Sequence, residues 1–202
     1  MLEFLVGSGL ATAAGLNAWM PLFVLGLADR FVPAVELPAG WAWLSSDVAL
    51  WVVGVLLVVE IVADKIPAVD SVNDVIQTLV RPAAGGIAFG AGSSAETVRV
   101  DDPELLSGTA WVPIAIGVVI ALAVHALKAA VRPAANVATA GMAAPVISTV
   151  EDATSLALSV LAIVVPVVAL LVIVGLGVAV AVTLRSRRRR RAARDGAPPD
   201  DR

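Results

Sequence analysis

The sequence predicts an all-α integral membrane protein, a bundle of four to five transmembrane helices. Three observations point there. Hydrophobic residues make up 59% of the chain and charged residues 15%, against about 45–50% and about 25% in soluble domains. Four apolar runs, at about 2–28, 48–66, 111–131 and 154–184, approach or exceed the roughly 20 residues a spanning helix needs. The ionisable residues are also placed unusually: Glu60, Asp64 and Lys65 appear before the second run has ended. An ionisable group at bilayer depth costs about 2.5–3.5 kcal/mol on insertion scales, so each is a functional-site candidate.

Residues 1–184 then form one polytopic membrane domain, and 185–202 a disordered basic tail. The absence of cysteine removes disulfides, thiolate metal sites and thiol nucleophiles. The formal charge of −3 hides an asymmetry, because the tail from Arg185 holds eight of the fourteen Lys and Arg residues and three of the seventeen acids. The remainder carries six basic and fourteen acidic residues, 6 − 14 = −8. A cleavable signal peptide does not fit the N-terminus: Glu3 is its only charge, and the apolar run continues past any cleavage site.

The first run is broken. Gly7, Ser8, Gly9, Ala11, Ala13, Ala14 and Gly15 give its first half a small-residue face, which lets helix backbones approach closely in lipid. Asn17 and Pro21 interrupt it, so a kink or break is expected near 17–21. This is either a kinked span or a discontinuous helix lining a site. The loop from Asp29 to Asp47 carries Trp41 and Trp43, which with Trp51 and Trp111 suit an interfacial aromatic belt.

In the second span Glu60 lies about 18 Å in from Val48 at 1.5 Å per residue, past the middle of a roughly 30 Å core. Asp64 follows one turn later on the same face. Pro67 ends this helix. Asp70 and Ser71 are N-cap candidates for an amphipathic helix over about 70–81. Its polar face holds Asp70, Asn73, Asp74, Gln77 and Arg81; Val72, Val75, Ile76, Leu79 and Val80 form the other. Such a helix lies at the interface or lines a wet cavity. Residues 82–95 are glycine-rich and read as a re-entrant or capping segment, and 96–110 as an acidic loop.

The third span, 111–131, places His125 and Lys128 on one face with Arg132 one turn beyond. His125 is the only histidine and titrates near neutrality when unperturbed. Residues 133–153 fit a loop, a re-entrant hairpin or a fifth span interrupted by Pro145. Ser148 and Thr149 are candidate caps for the last helix, with Glu151 and Asp152 in its first turn. The last span, 154–184, has thirty-one residues and must tilt or project. The arginine tail places the C-terminus in the cytoplasm and suits contact with anionic lipid; it implies no nucleic-acid partner.

A short repeat is also present: Arg81-Pro82-Ala83-Ala84 recurs as Arg132-Pro133-Ala134-Ala135, 51 residues on. Read as a duplication, it gives two units, each a helix ending in RPAA, with the acidic face of one opposing the basic face of the other.

Three stretches carry a resemblance: GLNAWMPL at 15–22, DKIPAVDSVNDVIQTLVRPAAG at 64–85 and VISTVEDA at 146–153. Together they resemble the bacterial membrane family catalogued as domain-of-unknown-function 4126, over about residues 5–180. The resemblance implies a helical protein of the bacterial inner membrane and no particular substrate. It draws attention to Asn17, Asp64, Pro67, Asp70, Asp74, Arg81, Pro82, Glu151 and Asp152.

The expected polar centre is therefore Asn17, Glu60, Asp64, Lys65, Asp70, Asp74, Arg81, His125, Lys128, Arg132, Glu151 and Asp152. Two functions fit it. One is a small ion- or proton-linked transporter or channel, as a homo-oligomer if a pore is to be enclosed. The other is a non-transporting scaffold whose buried charges fix helix register. An enzyme is not expected, since nucleophile elbow and zinc-helix motifs are missing and no cofactor is implied.

Overall fold

The computed structural model describes residues 2–94, 111–139 and 142–166 and single positions between 171 and 185, without side chains at 67, 68, 70, 71, 133, 134 and 136. The acidic loop at 96–110 and nearly all of the arginine tail lie outside the described residues. The described residues form helices and no strand: α1 (Leu2–Leu16), α2 (Trp19–Phe31), a 3-10 turn (Ala42–Ser45), α3 (Asp47–Ala63), α4 (Pro67–Ser94), α5 (Trp111–Ala138) and α6 (Ala144–Val164). Trp111–Arg132 within α5 and Ala144–Val164 are long and apolar enough to cross a membrane. On that criterion two helices among the described residues, not four or five, qualify: α3 has 17 residues, and α4 carries charges along its first half.

Prolines mark where helices begin. Pro21, Pro67, Pro113 and Pro145 all sit in the first turn of a helix, where a missing N–H removes no intrahelical bond. The expected break in the first run occurs at Asn17–Ala18, and the chain turns back there. Leu10 of α1 lies against Gly92 at the end of α4, while Ala18 lies against Glu60, beside Arg81 in the middle of α4. From there α2 leads back: Gly26 meets the Leu44 carbonyl, and Trp41 of the same loop covers Gly90. The run 2–28 is thus a helical hairpin and not one crossing.

Further expectations are corrected. The helix after Pro67 needs no cap from Asp70 or Ser71, because it starts at Pro67 itself. It also continues through Pro82 to Ser94, so 82–95 is neither re-entrant nor a cap. Close packing explains why the glycines do not break it. A Cβ on Gly85 would lie 2.3 Å from the Ala121 Cβ, and one on Gly117 would lie 2.2 Å from the Gly85 carbonyl oxygen. Glycine disfavours a helix by about 1 kcal/mol each, and here backbone contact between α4 and α5 offsets that cost. Both RPAA motifs therefore lie inside helices.

The 133–153 segment is divided between two helices: α5 runs to Ala138 and α6 begins at Ala144. Ser148 and Thr149 are inside α6, as are Glu151 and Asp152. Finally, α6 stops at Val164. Val165 precedes Pro166, and the residue before proline is disfavoured from the α region, so the long last span is interrupted there.

The apolar core lies in the half nearer the tryptophan loop, where Leu10, Ala14, Leu22, Leu25, Ala88, Ala121 and Ala162 pack together. The small-residue face of α1 is buried in it as expected. The other half of the bundle is polar inside and apolar outside. In α4, Gln77 and Arg81 are 4% and 0% exposed, while Val75 and Leu79 are 72% and 79% exposed.

Candidate functional site

The polar half is assembled from α3, α4, α5 and α6 and the break between α1 and α2, around one carboxylate. Asp64 sits just past the C-terminus of α3, where the helix dipole disfavours negative charge. Three cations offset this. Its Oδ2 lies 3.1 Å from Lys128 Nζ, 3.4 Å from Arg132 Nη2 and 3.5 Å from Arg81 Nη2. Its Oδ1 accepts from Asn73 Nδ2 at 2.8 Å. The proline turn makes this possible: with α3 ended at Ala63 and α4 begun at Pro67, both Asp64 and Arg81 face inward.

Glu60, one turn earlier, is 2% exposed. It accepts from Arg81 Nη2 at 3.0 Å and from the Ala18 N–H at 3.1 Å. The second contact places a carboxylate at the start of α2, where a helix N-terminus favours it. The end of α1 shows the complement: Lys128 Nζ donates to the Leu16 carbonyl at 3.2 Å. Asn17 bridges the break. Its Oδ1 caps α2 by accepting from the N–H groups of Trp19 at 3.2 Å and Met20 at 3.1 Å, and its Nδ2 donates to Asp152 at 3.0 Å.

Around this lie the remaining members. Glu151 Oε2 lies 2.6 Å from Arg132 Nη2 and 3.0 Å from Lys128 Nζ. Lys65 pairs with Asp152 at 3.2 Å, and Asp74 stands 3.9 Å from Arg81. His125 Nδ1 is 3.0 Å from Arg81 Nη1, and its Nε2 is 3.1 Å from Thr78 Oγ1. An arginine only donates, so Nδ1 is the acceptor and the ring is the neutral Nε2–H tautomer. Thr78 then accepts from the ring and donates to the Asp74 carbonyl at 2.9 Å.

Eleven of the twelve expected residues thus meet in one network; the Asp70 side chain lies outside the described residues. The two RPAA arginines converge on Asp64. Glu151 and Asp152, expected in the first turn of the last helix, lie further along it and act as ion-pair partners. Asn73 and Thr78 join the network without having been singled out, although Asn73 shares the polar face of the 70–81 stretch. The Ala18 N–H and the Leu16 carbonyl had no side-chain signal to mark them. Among the described residues no cluster of His, Asp and Glu has metal-site geometry.

A gap of about 180 Å³ between α5 and α6 opens beside the network. A second, apolar groove of about 530 Å³ lies between α2 and α3, with the Arg30–Asp47 ion pair at its rim.

Residues 4–186 match the family described as a domain of unknown function, DUF4126. The chain belongs to that family. No curated protein and no solved structure matches it. Every member of the network lies within the family match, while the end of the arginine tail falls beyond it.

Proposed function

We propose that this is a multi-pass protein of the bacterial inner membrane whose charged centre carries a proton or small ion. Support for the membrane comes first from inversion. Ion pairs fill the interior, and Val75, Leu79, Val119 and Val131 are left outside. Soluble monomers rarely expose large contiguous apolar surface, whereas lipid accepts it. In this reading α3 to α6 cross the bilayer and the α1–α2 hairpin re-enters from one face. The positive-inside rule assigns the arginine tail to the cytoplasm, with anionic lipid as its partner. A homo-oligomer would enclose any continuous pore.

The observation that carries the transport reading is the break at Asn17–Ala18. A helix interrupted inside a buried charge network, with its N-terminal half meeting a cation through a carbonyl and its C-terminal half meeting a carboxylate through an N–H, is how discontinuous helices build ion sites in transporters. Glu60 is the carrier group in this reading. It is the carboxylate at the tip of the hairpin, and the neutral His125 lies across Arg81 from it. No catalytic role is assigned to any residue.

The static alternative has its own support, since every described charge in the centre has an opposite charge within 4 Å. Such a lattice fixes helix register without moving anything. Purified protein in liposomes holding a pH-sensitive dye separates the two. Proton entry driven by a potassium diffusion potential, abolished in a folded Glu60→Gln variant, is the transport result. No proton or alkali-cation flux through wild type leaves the static lattice as the function.

A further inference from the structure

The geometry points to the gap between α5 and α6 as a binding site for a long-chain carboxylate, whose headgroup position the Glu151 carboxylate now fills. The inference rests on the reading that the apolar exterior faces lipid; it does not require transport.

The two helices touch only lightly, and the gap between them reaches Lys128 and Arg132. Its outer walls are apolar: Leu127 and Val131 on α5, at 37% and 42% exposed, and Ile147 on α6. Lys128 and Arg132 line its inner end, with almost no polar surface opening into it and their charged ends turned to Asp64 and Glu151. The Lys128 and Arg132 side chains are 1% and 2% exposed, so their charges are held out of solvent. On the side facing the gap, both converge on Glu151 Oε2, at 3.0 and 2.6 Å. Glu151 is the more exposed partner, with a side chain 13% exposed. It is in effect a tethered anion at the mouth of a buried cation pair.

An incoming carboxylate replaces this group like for like. One oxygen takes the place of Oε2 between Nζ and Nη2, and Glu151 swings out toward the surface. The fatty acid enters as the neutral acid and passes its proton to Glu151, so one O–H bond breaks, one forms, and no bare carboxylate is left on the lipid-facing surface. A short anion gains nothing from Leu127 and Val131, and loses its water on the way past them. A chain gains about 25 cal/mol for each Å² of apolar surface it covers. At roughly 30 Å³ for a water-sized group, the gap takes the headgroup and the first few carbons, and the rest of the tail follows the outer face of α5.

The test uses the full chain in a neutral detergent, with thermal unfolding as the readout and laurate, acetate and dodecyl phosphate as probes. Laurate should raise the melting temperature of wild type, and acetate should not. Glu151→Gln should unfold at lower temperature without ligand and bind laurate about tenfold more tightly than wild type, because the internal competitor is gone. Val131→Trp leaves every ion pair intact and fills the gap, so it should lose the laurate shift while keeping its own melting temperature. A laurate shift that survives Val131→Trp, or one equal in wild type and Glu151→Gln, overturns the site as a detergent-like effect. So does the absence of any shift. A larger shift with dodecyl phosphate than with laurate overturns the choice of headgroup. Proton flux is measured on the same protein after reconstitution into liposomes. Laurate binding without flux removes the transport reading and keeps this site; flux without laurate binding does the reverse.

Discussion

Arg81 and Glu60 offer a double-mutant cycle whose outcome the geometry sets. Arg81 is fully buried and lies 3.0 Å from Glu60. Replacing it with Met preserves bulk but strands a carboxylate that is 1% exposed. Asp64 keeps Lys128 and Arg132 at 3.1 and 3.4 Å, so the loss falls chiefly on Glu60. Breaking a buried pair from one side costs about 3–5 kcal/mol, and Arg81→Met belongs in that range. Glu60→Gln is milder. A Gln oxygen in place of Oε1 still accepts from Arg81, and lies 3.4 Å from the Ala18 N–H. The change replaces a charged hydrogen bond of about 1.5–3 kcal/mol with a neutral one of about 0.5–1.5, a loss of about 1 kcal/mol. In the double variant no carboxylate is stranded, so its cost should fall below the sum of the singles by about 2 kcal/mol. Reversible urea unfolding in detergent, followed by tryptophan fluorescence, measures all three. Additivity within about 0.5 kcal/mol would refute the claim that these two groups form one buried unit.

Two other substitutions test the backbone of the site. Asn17→Ala removes the cap of α2 and the contact with Asp152, and should cost about 1–2 kcal/mol. Asn17→Asp keeps the capping oxygen but sets a carboxylate 3.0 Å from Asp152, so it should be no more stable than the alanine variant at neutral pH; the same unfolding assay reads both. Gly117→Ala drives a methyl to 2.2 Å from the Gly85 carbonyl oxygen and 2.5 Å from the Phe89 Cβ. It should destabilise by about 1–3 kcal/mol, whereas alanine at the open Gly40 should be neutral within about 0.5 kcal/mol.

The polar centre was legible because burial energy makes charges conspicuous. Glu60 falls too deep in an apolar run to be incidental, and Lys128 and Arg132 share its demand for a partner. Their i,i+4 spacing on α5 puts both on one face, and Asp64 meets both. The reversal at Asn17 was less legible. Asn and Pro in an apolar run signal an interruption, but the direction afterward is set by long-range contacts such as Gly26 with the Leu44 carbonyl. The glycine stretch misleads for a related reason. Propensity counts the local cost of Gly85 and Gly86, and the compensation comes from α5, some thirty residues away. The expected 154–184 span passed over Pro166, although proline restricts the residue before it wherever it stands.

The contact between Asn17 and Asp152 joins residues 135 positions apart. The hairpin tip leaves the ribosome early, and its partners arrive in instalments: Glu60, then Arg81, then Lys128, and Asp152 last. Until the final helix emerges, the first polar turn has no completed set of bonds. The first polar turn to be made is thus the last to be satisfied.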